Sequence, residues 1–347
     1  MPVKVAVNGY GTIGKRIAHA LLKSPDFELV GIAKYNFDYS AVLAHRLGMK
    51  IFVPRDKLEE FRKHSVEPEG SIEDLVSEAE LVYDASPAGR GARNKELYVK
   101  YKKPAIFQGG ELPEVAEVSY NTLCNFEKAL GKSYVRVVSC NTTGLLRVVC
   151  SLGSNAVESV FGVIVRRASD PKEDLKGPVS SLALDSAQIP SHHALDARTV
   201  VGDLAVETVA IVAPTTLMHV QVLKIRLRKP AGFEQVVESL ESSGRVLLLD
   251  AAAGIDTTGK LVELARDAGR PRYDVYENVV LASSLSRSGV ELTLVQAVHQ
   301  EAIVIPENVD AAYAVLNLET DVHKVVEKTN KLLGVGELKY LIARGAK

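Results

Sequence analysis

The chain is poor in several residue types and patterns, and each shortage excludes a class of protein. It has no tryptophan, three methionines and only three cysteines in 347 residues, too few cysteines for a secreted disulfide scaffold. No apolar run approaches the ~20 residues that a membrane-spanning helix needs, so we expect no membrane association. Lysine and arginine (42) balance aspartate and glutamate (43) without a basic cluster, so we expect no nucleic-acid partner.

The sequence also lacks a metal-ligand spacing and a targeting segment. Its cysteines are not paired as CxxC, and His192 and His193 are adjacent rather than four residues apart, so we predict no metal site. The first apolar strand begins at Val3, which leaves no room for a signal peptide. We therefore expect a cytoplasmic protein, long enough for two domains.

The pattern of apolar residues changes along the chain. Short apolar strands alternate with helix-length segments over residues 1–139, which predicts a parallel, doubly wound α/β sheet. Beyond about residue 152 the strands are longer and alternate polar with apolar residues, as in Val220–Leu227, which predicts a second, mainly antiparallel sheet. Residues 169–203 show no periodicity and are predicted to form a long loop, whereas the tail from Val309 onward is predicted to be helical.

The segment after the first predicted strand has the spacing of a dinucleotide-binding turn. Gly9, Gly11 and Gly14 form a GxGxxG pattern between strand Val3–Val7 and a predicted helix. The first glycine permits the tight turn, the second lets the backbone approach a pyrophosphate, and the third allows close helix–strand packing. The alternative is a plain glycine-rich turn, but the strand and helix around it favour a dinucleotide.

The end of the second predicted strand bears on the choice between NAD and NADP. An NAD site commonly places Asp or Glu about 20 residues after the glycines, where it accepts hydrogen bonds from the ribose. Lys34 occupies this region, and a lysine would instead attract a 2′-phosphate. This favours NADP without excluding NAD, and a solvated lysine at a strand end is the simpler alternative.

A single cysteine lies where a strand ends and a helix is predicted to begin. Cys140 follows the strand Val135–Val138 and precedes Thr142, Thr143 and Gly144. A helix N-terminus lowers the pKa of a thiol and makes it nucleophilic, although a buried inert cysteine is the commoner case. Four of the eight histidines compete for the role of base, and the residues alone do not choose among them: His192, His193, His219 and His299.

Taken together, several segments closely resemble the archaeal-type glyceraldehyde-3-phosphate dehydrogenases over almost the whole chain. The segments that carry the resemblance are Asn8–Lys15, Phe107–Glu111, Ser139–Thr143, Pro190–Ala194, Pro214–His219 and Ala297–Glu301. The resemblance implies a homotetramer in which each chain has a Rossmann domain and an α+β catalytic domain. It places residues 1–139 with 304–347 in the first domain and 140–303 in the second.

The resemblance also assigns roles to individual residues. Cys140 would be the nucleophile and His219 the base. The residues that match substrate contacts are Ser139, Asn141, His192 and His193, and those that match cofactor contacts are Thr12, Ile13, Gly110, Arg167 and Gln300. One segment departs from the family: Lys34 is kept, but Tyr35-Asn36-Phe37 replaces a following threonine that could bind a 2′-phosphate.

The activity implied by the resemblance is the phosphorylating oxidation of glyceraldehyde 3-phosphate to 1,3-bisphosphoglycerate with NADP or NAD, through a thioester on Cys140. Two alternatives remain open at this point. Aspartate-semialdehyde dehydrogenases share the fold and the thiol chemistry but act on a carboxylate substrate. A non-catalytic protein that binds a dinucleotide would have an inert Cys140.

The two cysteines that are not assigned to catalysis could form a disulfide. Cys124 precedes the strand that leads to Cys140, and Cys150 lies on the helix that leaves it. Disulfides are rare in the cytosol, but hyperthermophiles are an exception. The scarcity of methionine is a weak sign of such a source. Two packed free thiols are an equally plausible prediction.

Overall fold

The computed structural model describes residues 1–170, 177–178, 180–250 and 253–342. Over these residues the chain forms two compact units. The first unit contains residues 1–120, 126–137 and 307–321, and the second contains residues 121–125, 138–306 and the chain from 322 onward.

The first unit is built on a sheet of eight strands. The strands are β1 (Val3–Asn8), β2 (Phe27–Ala33), β3 (Ile51–Val53), β4 (Gly70–Ser71), β5 (Leu81–Asp84), β6 (Ala105–Phe107), β7 (Val118–Tyr120) and β8 (Tyr134–Val137). Their order is β4-β3-β2-β1-β5-β6-β8-β7, and every pair is parallel. The predicted doubly wound sheet is confirmed.

Helices follow most of these strands, as the alternation of apolar segments predicts. They are α1 (Thr12–Leu21), α2 (Tyr39–Arg46), α3 (Leu58–Lys63), α4 (Ile72–Glu78) and α5 (Gly91–Tyr101). The start of α4 is fixed by a capping box, in which the Ser71 and Asp74 side chains each bond the other's backbone N–H. Val5, Ala6 and Val7 are fully buried, because helices cover both faces of a parallel sheet.

The second unit is built on a mixed sheet. Its strands are β9 (Val157–Arg167), β10 (Ala183–Leu184), β11 (Ala205–Ala213), β12 (His219–Leu227), β13 (Val246–Leu249), β14 (Asn278–Leu281), β15 (Ser286–Ser288) and β16 (Glu291–Val298). The order is β10-β11-β9-β12-β16-β14-β13, and β15 pairs with β16. Five pairs are antiparallel, as predicted, but β9–β11 and β13–β14 are parallel.

The helices of the second unit pack on this sheet or extend the tail. They are α6 (Thr122–Asn125), α7 (Cys140–Ser151), α8 (His192–Val200), α9 (Phe233–Glu241), α10 (Thr258–Asp267), α12 (Val322–Leu333) and α13 (Leu338–Ile342), while α11 (Val304–Val315) lies mostly in the first unit. One face of β12 supplies Leu223 and Ile225 to the core of this unit, together with Leu145 and Val149 of α7.

Two predictions about boundaries were wrong. The predicted loop 169–203 contains α8, a helix of only nine residues; its buried stripe of Ala194, Ala197 and Val200 is too short to stand out in the sequence. Residues 171–176 and 179 of that prediction lie outside the described part of the chain. The tail helix α11 begins at Val304, five residues before the predicted start.

The tail divides between the two units, whereas we expected residues 304–347 to join the first. The described residues 322–342 group with the second unit. Asn330 accepts a hydrogen bond of 2.6 Å from the buried Arg245, and Lys339 pairs with Glu241 at 2.6 Å. These polar contacts explain why the last described helices belong with the second unit.

Cys124 of α6 and Cys150 of α7 are joined by a disulfide, and their Cα atoms are 5.3 Å apart. The disulfide prediction is therefore confirmed over its alternative, and Cys140 is the free cysteine. Among the residues that the structure describes, no helix combines the length and apolar composition required to span a bilayer.

Candidate active site

The turn between β1 and α1 depends on glycines. Gly9 has a φ of +107°, and a Cβ there would lie 2.6 Å from the carbonyl oxygen of Ala85. A Cβ on Gly14 would lie 1.8 Å from the carbonyl oxygen of Gly9. Helix α1 begins after Gly11 without a side-chain cap. The glycines therefore fit the pyrophosphate of a dinucleotide at the positive end of the helix.

The residues matched to cofactor contacts in the first unit lie at the carboxyl ends of its strands. Strand β1 lies between β2 and β5, a position where parallel sheets commonly bind ligands. Thr12 and Ile13 are the first two residues of α1 and are partly exposed. Gly110 follows β6, and a Cβ there would lie 3.2 Å from the Ala88 side chain. These positions are compatible with the predicted contacts.

Lys34 is paired with a carboxylate in the structure. Its ammonium group donates a 2.6 Å hydrogen bond to Asp38, and the lysine is 8% exposed. The other carboxylate oxygen of Asp38 accepts from the backbone N–H groups of Ser40 and Ala41 and caps α2. Burial alone would raise the pKa of Asp38, but the bond from Lys34 and those from Ser40 lower it. A 2′-phosphate would therefore compete with Asp38 for Lys34.

In the second unit, Cys140 is the first residue of α7, as its sequence context predicts. Ser139 is the N-cap, and its hydroxyl accepts from the N–H of Thr142. Burial raises the pKa of the Cys140 thiol to about 11, opposed by the charges of Arg166 and Arg167 and by the backbone N–H of Asn141. Burial of the sulfur therefore opposes the lowered pKa expected at a helix N-terminus, although the residue as a whole is partly exposed.

His219 is held by the backbone in a defined orientation. It opens β12, is fully buried, and accepts a 2.9 Å hydrogen bond on Nδ1 from the N–H of Arg167. Burial, together with the charges of Arg167 and Arg166, lowers its pKa to about 3. The ring is therefore neutral at pH 7, and with Nδ1 accepting it carries its proton on Nε2. In this form, the atom of His219 that can donate a hydrogen bond is Nε2.

The two adjacent arginines at the end of β9 differ in their surroundings. Arg167 is 3% exposed and donates to Gln300 at 2.6 Å; it also pairs with Glu301 at 3.1 Å. The resemblance matched Arg167 and Gln300 to cofactor contacts, and the structure brings these two side chains together. Arg166 is more exposed and pairs with Asp185.

The adjacent histidines lie in the first turn of α8. Their rings are 3.9 Å apart. His193 is buried, and burial with the charges of His192 and Arg166 lowers its pKa to about 2. His192 is exposed, and its Nδ1 lies 3.7 Å from Asp185. Nδ2 of Asn141 lies 3.4 Å from Nε2 of His193, so the residues matched to substrate contacts converge.

Arg166 is the functional candidate that the resemblance did not assign. Its charge acts on the pKa of Cys140 and on those of three histidines, His192, His193 and His219. The sequence signal was the pair Arg166-Arg167 at the end of an apolar strand.

His299, by contrast, is engaged elsewhere: its Nδ1 accepts from the N–H of Val275 and its Nε2 lies 3.1 Å from Glu301.

The oxidoreductase chemistry that this geometry allows agrees with comparisons to known proteins. Residues 139–263 match the model of the glyceraldehyde 3-phosphate dehydrogenase C-terminal domain. The chain is 50% identical to the glyceraldehyde-3-phosphate dehydrogenase of Hyperthermus butylicus over 96% of this chain and 97% of that protein. It is 50% identical to that of Metallosphaera sedula and 46% identical to that of Sulfolobus acidocaldarius, each over 96% of this chain and 98% of the relative.

The chain belongs to the glyceraldehyde-3-phosphate dehydrogenase family. These relatives come from archaea, in agreement with the resemblance to the archaeal type. Members of this family are oxidoreductases that use a nicotinamide dinucleotide, which the turn at Gly9 and Gly14 fits.

Proposed function

We propose that the protein oxidises glyceraldehyde 3-phosphate to 1,3-bisphosphoglycerate, with inorganic phosphate as co-substrate and Cys140 as nucleophile. The observation that supports this most is the free thiol of Cys140 at the start of α7, beside the Asn141 N–H and in the field of two arginines. The aldehyde of a three-carbon phosphate would be held beside it by residues that include Asn141 and His192.

The reaction begins with addition of the Cys140 thiol to the aldehyde. A sulfur–carbon bond forms, the carbonyl π bond breaks, and the thiol proton ends on the oxygen of the resulting hemithioacetal. The Nε2–H of His219 and backbone N–H groups at the start of α7 would stabilise negative charge that develops on this oxygen. The pKa of about 11 means that the thiol arrives protonated, so this proton transfer accompanies the attack.

In the second half, the hemithioacetal loses a hydride from its carbon and the hydroxyl proton to solvent, which leaves a thioester on Cys140, and the acyl group is then transferred to phosphate. When bound, the nicotinamide dinucleotide supplies the hydride acceptor for this oxidation. Inorganic phosphate then attacks the thioester carbon, the sulfur–carbon bond breaks, and the Cys140 thiolate regains a proton. Covalent attachment to Cys140 divides one difficult step into two.

His219 is proposed as the proton-transfer partner of Cys140. To act as a base, His219 needs an Nε2 that carries no proton. The neutral ring would then carry its proton on Nδ1, which in the structure accepts the hydrogen bond from the N–H of Arg167. The orientation of the ring therefore favours His219 as a hydrogen-bond donor through Nε2. To act as the base that the resemblance implies, His219 would have to lose its hydrogen bond from the N–H of Arg167.

For the cofactor we propose that both NAD and NADP bind. Lys34 would pair with a 2′-phosphate, while its hydrogen bond to Asp38 weakens that preference. The proposed contacts are Gly9, Gly11, Thr12, Ile13, Gly14, Lys34, Gly110, Arg167 and Gln300. We further propose, from the family resemblance, a cytoplasmic homotetramer.

The activity is tested by phosphate-dependent reduction of NAD and NADP, measured side by side with glyceraldehyde 3-phosphate and with aspartate semialdehyde. We expect turnover with the phosphorylated aldehyde and dependence on inorganic phosphate. Turnover restricted to aspartate semialdehyde would instead assign the protein to the alternative substrate class. Absence of turnover with both aldehydes would contradict an enzymatic role.

A further inference from the structure

A chain of buried amide side chains lies beneath the start of α7. It consists of Asn141, Gln221, Gln296 and Asn278, each at most 1% exposed, and we refer to it as the amide chain. Gln221 and Gln296 are direct partners across β12 and β16. Because side chains two residues apart on a strand share a face, Gln221 lies on the same side of β12 as His219.

Backbone carbonyls fix which way the amides point, since a carbonyl oxygen only accepts hydrogen bonds. Nδ2 of Asn278 and Nε2 of Gln296 donate to the carbonyl oxygen of Gly144 at 2.6 and 3.1 Å. Nε2 of Gln221 donates to the carbonyl oxygen of Asn141 at 2.9 Å. Rotating any of these amides by 180° would place two acceptors against each other.

The orientation of the Gln221 amide in turn fixes the orientation of the Asn141 side chain. Nε2 of Gln221 also donates to Oδ1 of Asn141 at 3.0 Å, so the NH₂ group of Asn141 is turned toward Nε2 of His193 at 3.4 Å. His193 must accept there, which leaves its proton on Nδ1. Nδ1 lies 3.2 Å from the hydroxyl of Ser191, which in turn bonds Thr208 at 2.7 Å.

We propose that Gln221 is a positioning residue that orients the Asn141 amide and thereby fixes His193 as the tautomer protonated on Nδ1. The lowered pKa of His193 agrees with a ring that stays neutral and accepts on Nε2. The consequence for binding rests on the proposed function: the Asn141 amide, held in one orientation by Gln221 and His193, presents its remaining N–H to the aldehyde substrate, and Arg166 supplies the positive charge that the neutral His193 does not.

The test uses two variants that each remove one buried amide. Gln221→Met releases Asn141, whereas in Gln296→Met the carbonyl of Asn141 still holds Gln221 in place. Both lose fully buried hydrogen bonds, so similar losses of stability are expected in the two variants. The direct measurement is the ¹⁵N NMR spectrum of protein labelled at the histidine rings, with the His193 signals assigned by their absence in His193→Gln.

In the wild type and in Gln296→Met, we expect the His193 Nε2 signal in the unprotonated range and Nδ1 in the protonated range. In Gln221→Met the two signals should move toward each other as the tautomers mix. We also expect Gln221→Met to raise KM for the aldehyde about tenfold, the effect of one lost hydrogen bond, with kcat and the cofactor Kd little changed. Gln296→Met should stay near wild type.

Identical His193 spectra in the two methionine variants would overturn the proposal, as would a tautomer change in Gln221→Met that leaves KM unaltered. These outcomes are distinct from failure of the proposed function, which would appear as a wild-type protein without phosphate-dependent turnover. The NMR comparison measures the His193 tautomer whether or not the protein turns over the aldehyde.

Discussion

Two turns of this molecule lead from a strand into a helix, and they use the positive end of the helix differently. After β1, glycines form the turn and no side chain caps α1, and the pyrophosphate of the cofactor is the group that we propose to bind there. After β8, Ser139 caps α7, and the backbone N–H of Asn141 lowers the pKa of the Cys140 thiol. The first helix has no side-chain cap, whereas the second is capped by the protein's own Ser139.

The comparison shows why similar local geometry leads to different chemistry. At the first turn we propose that backbone N–H groups bind the cofactor, and glycines are needed because a Cβ on Gly9 or Gly14 would meet the backbone of Ala85 or Gly9. At the second turn the proposed chemistry is carried by side chains, and their pKa values depend on burial and on charges from distant segments. The pKa of Cys140, about 11, is the clearest case, because the helix end alone would lower it.

The largest effect we predict is the pH dependence of Cys140 alkylation in the free protein. Below a pKa of about 11, the thiolate fraction rises about tenfold per pH unit, so the rate should increase on the order of 10³-fold from pH 7 to pH 10. The measurement is the rate of iodoacetamide incorporation without reductant. Cys140→Ser, with the other thiols in the disulfide, should show none. A plateau reached near pH 7 would contradict the raised pKa.

A second prediction separates donation from base catalysis at the thiol turn. His219→Ala should lower kcat/KM about a hundredfold, the usual contribution of a positioned proton-transfer group. His219→Gln keeps an N–H near the position of Nε2 and should retain at least about a tenth of the activity. Equal losses in the two variants would show that the base function, not the donor, is what matters.

The third prediction disrupts the dinucleotide turn alone. In Gly9→Ala the new Cβ would meet the carbonyl of Ala85, and backbone strain of roughly 1–3 kcal/mol should weaken cofactor binding by about tenfold or more in calorimetry. The alkylation rate of Cys140 should not change. Gly48→Ala is the matched control, because Gly48 also has a positive φ but has nothing within 4 Å of its Cβ position. Equal cofactor affinity in both variants would argue against a close approach at Gly9.

The smallest predicted effect concerns Lys34. Asn caps a helix as well as Asp does, so Asp38→Asn should preserve α2 while freeing Lys34 from a charge. We expect NADP to bind about fivefold more tightly relative to NAD, the scale of a partly exposed ion pair, and Lys34→Met to cancel that gain. Unchanged NADP/NAD affinity ratios in both variants would mean that Lys34 does not contact the 2′-phosphate.

Features that depend on local residue order could be predicted from the sequence, whereas features that depend on burial and on contacts in the folded chain could not. The Gly9 turn, the start of α7 and the two sheet types could be predicted because each depends on local residue order. The acceptor role of His219 Nδ1 and the amide chain could not, because they form between segments whose register the sequence does not state. The Lys34–Asp38 pair is local, since its members are four residues apart in the chain, but it depends on the conformation of the link between β2 and α2. Helix α8 was missed because its apolar stripe spans only three buried residues.

Cys140 is proposed to carry the oxidised substrate as a thioester, and this role can be tested by trapping that intermediate. Protein incubated with glyceraldehyde 3-phosphate and cofactor but without inorganic phosphate should gain one acyl group per chain by mass spectrometry. The group should map to the peptide that contains Cys140, disappear when phosphate is added, and be absent in Cys140→Ser. An unmodified Cys140 in protein that turns over, or a phosphate-releasable acyl group on another residue, would contradict the account.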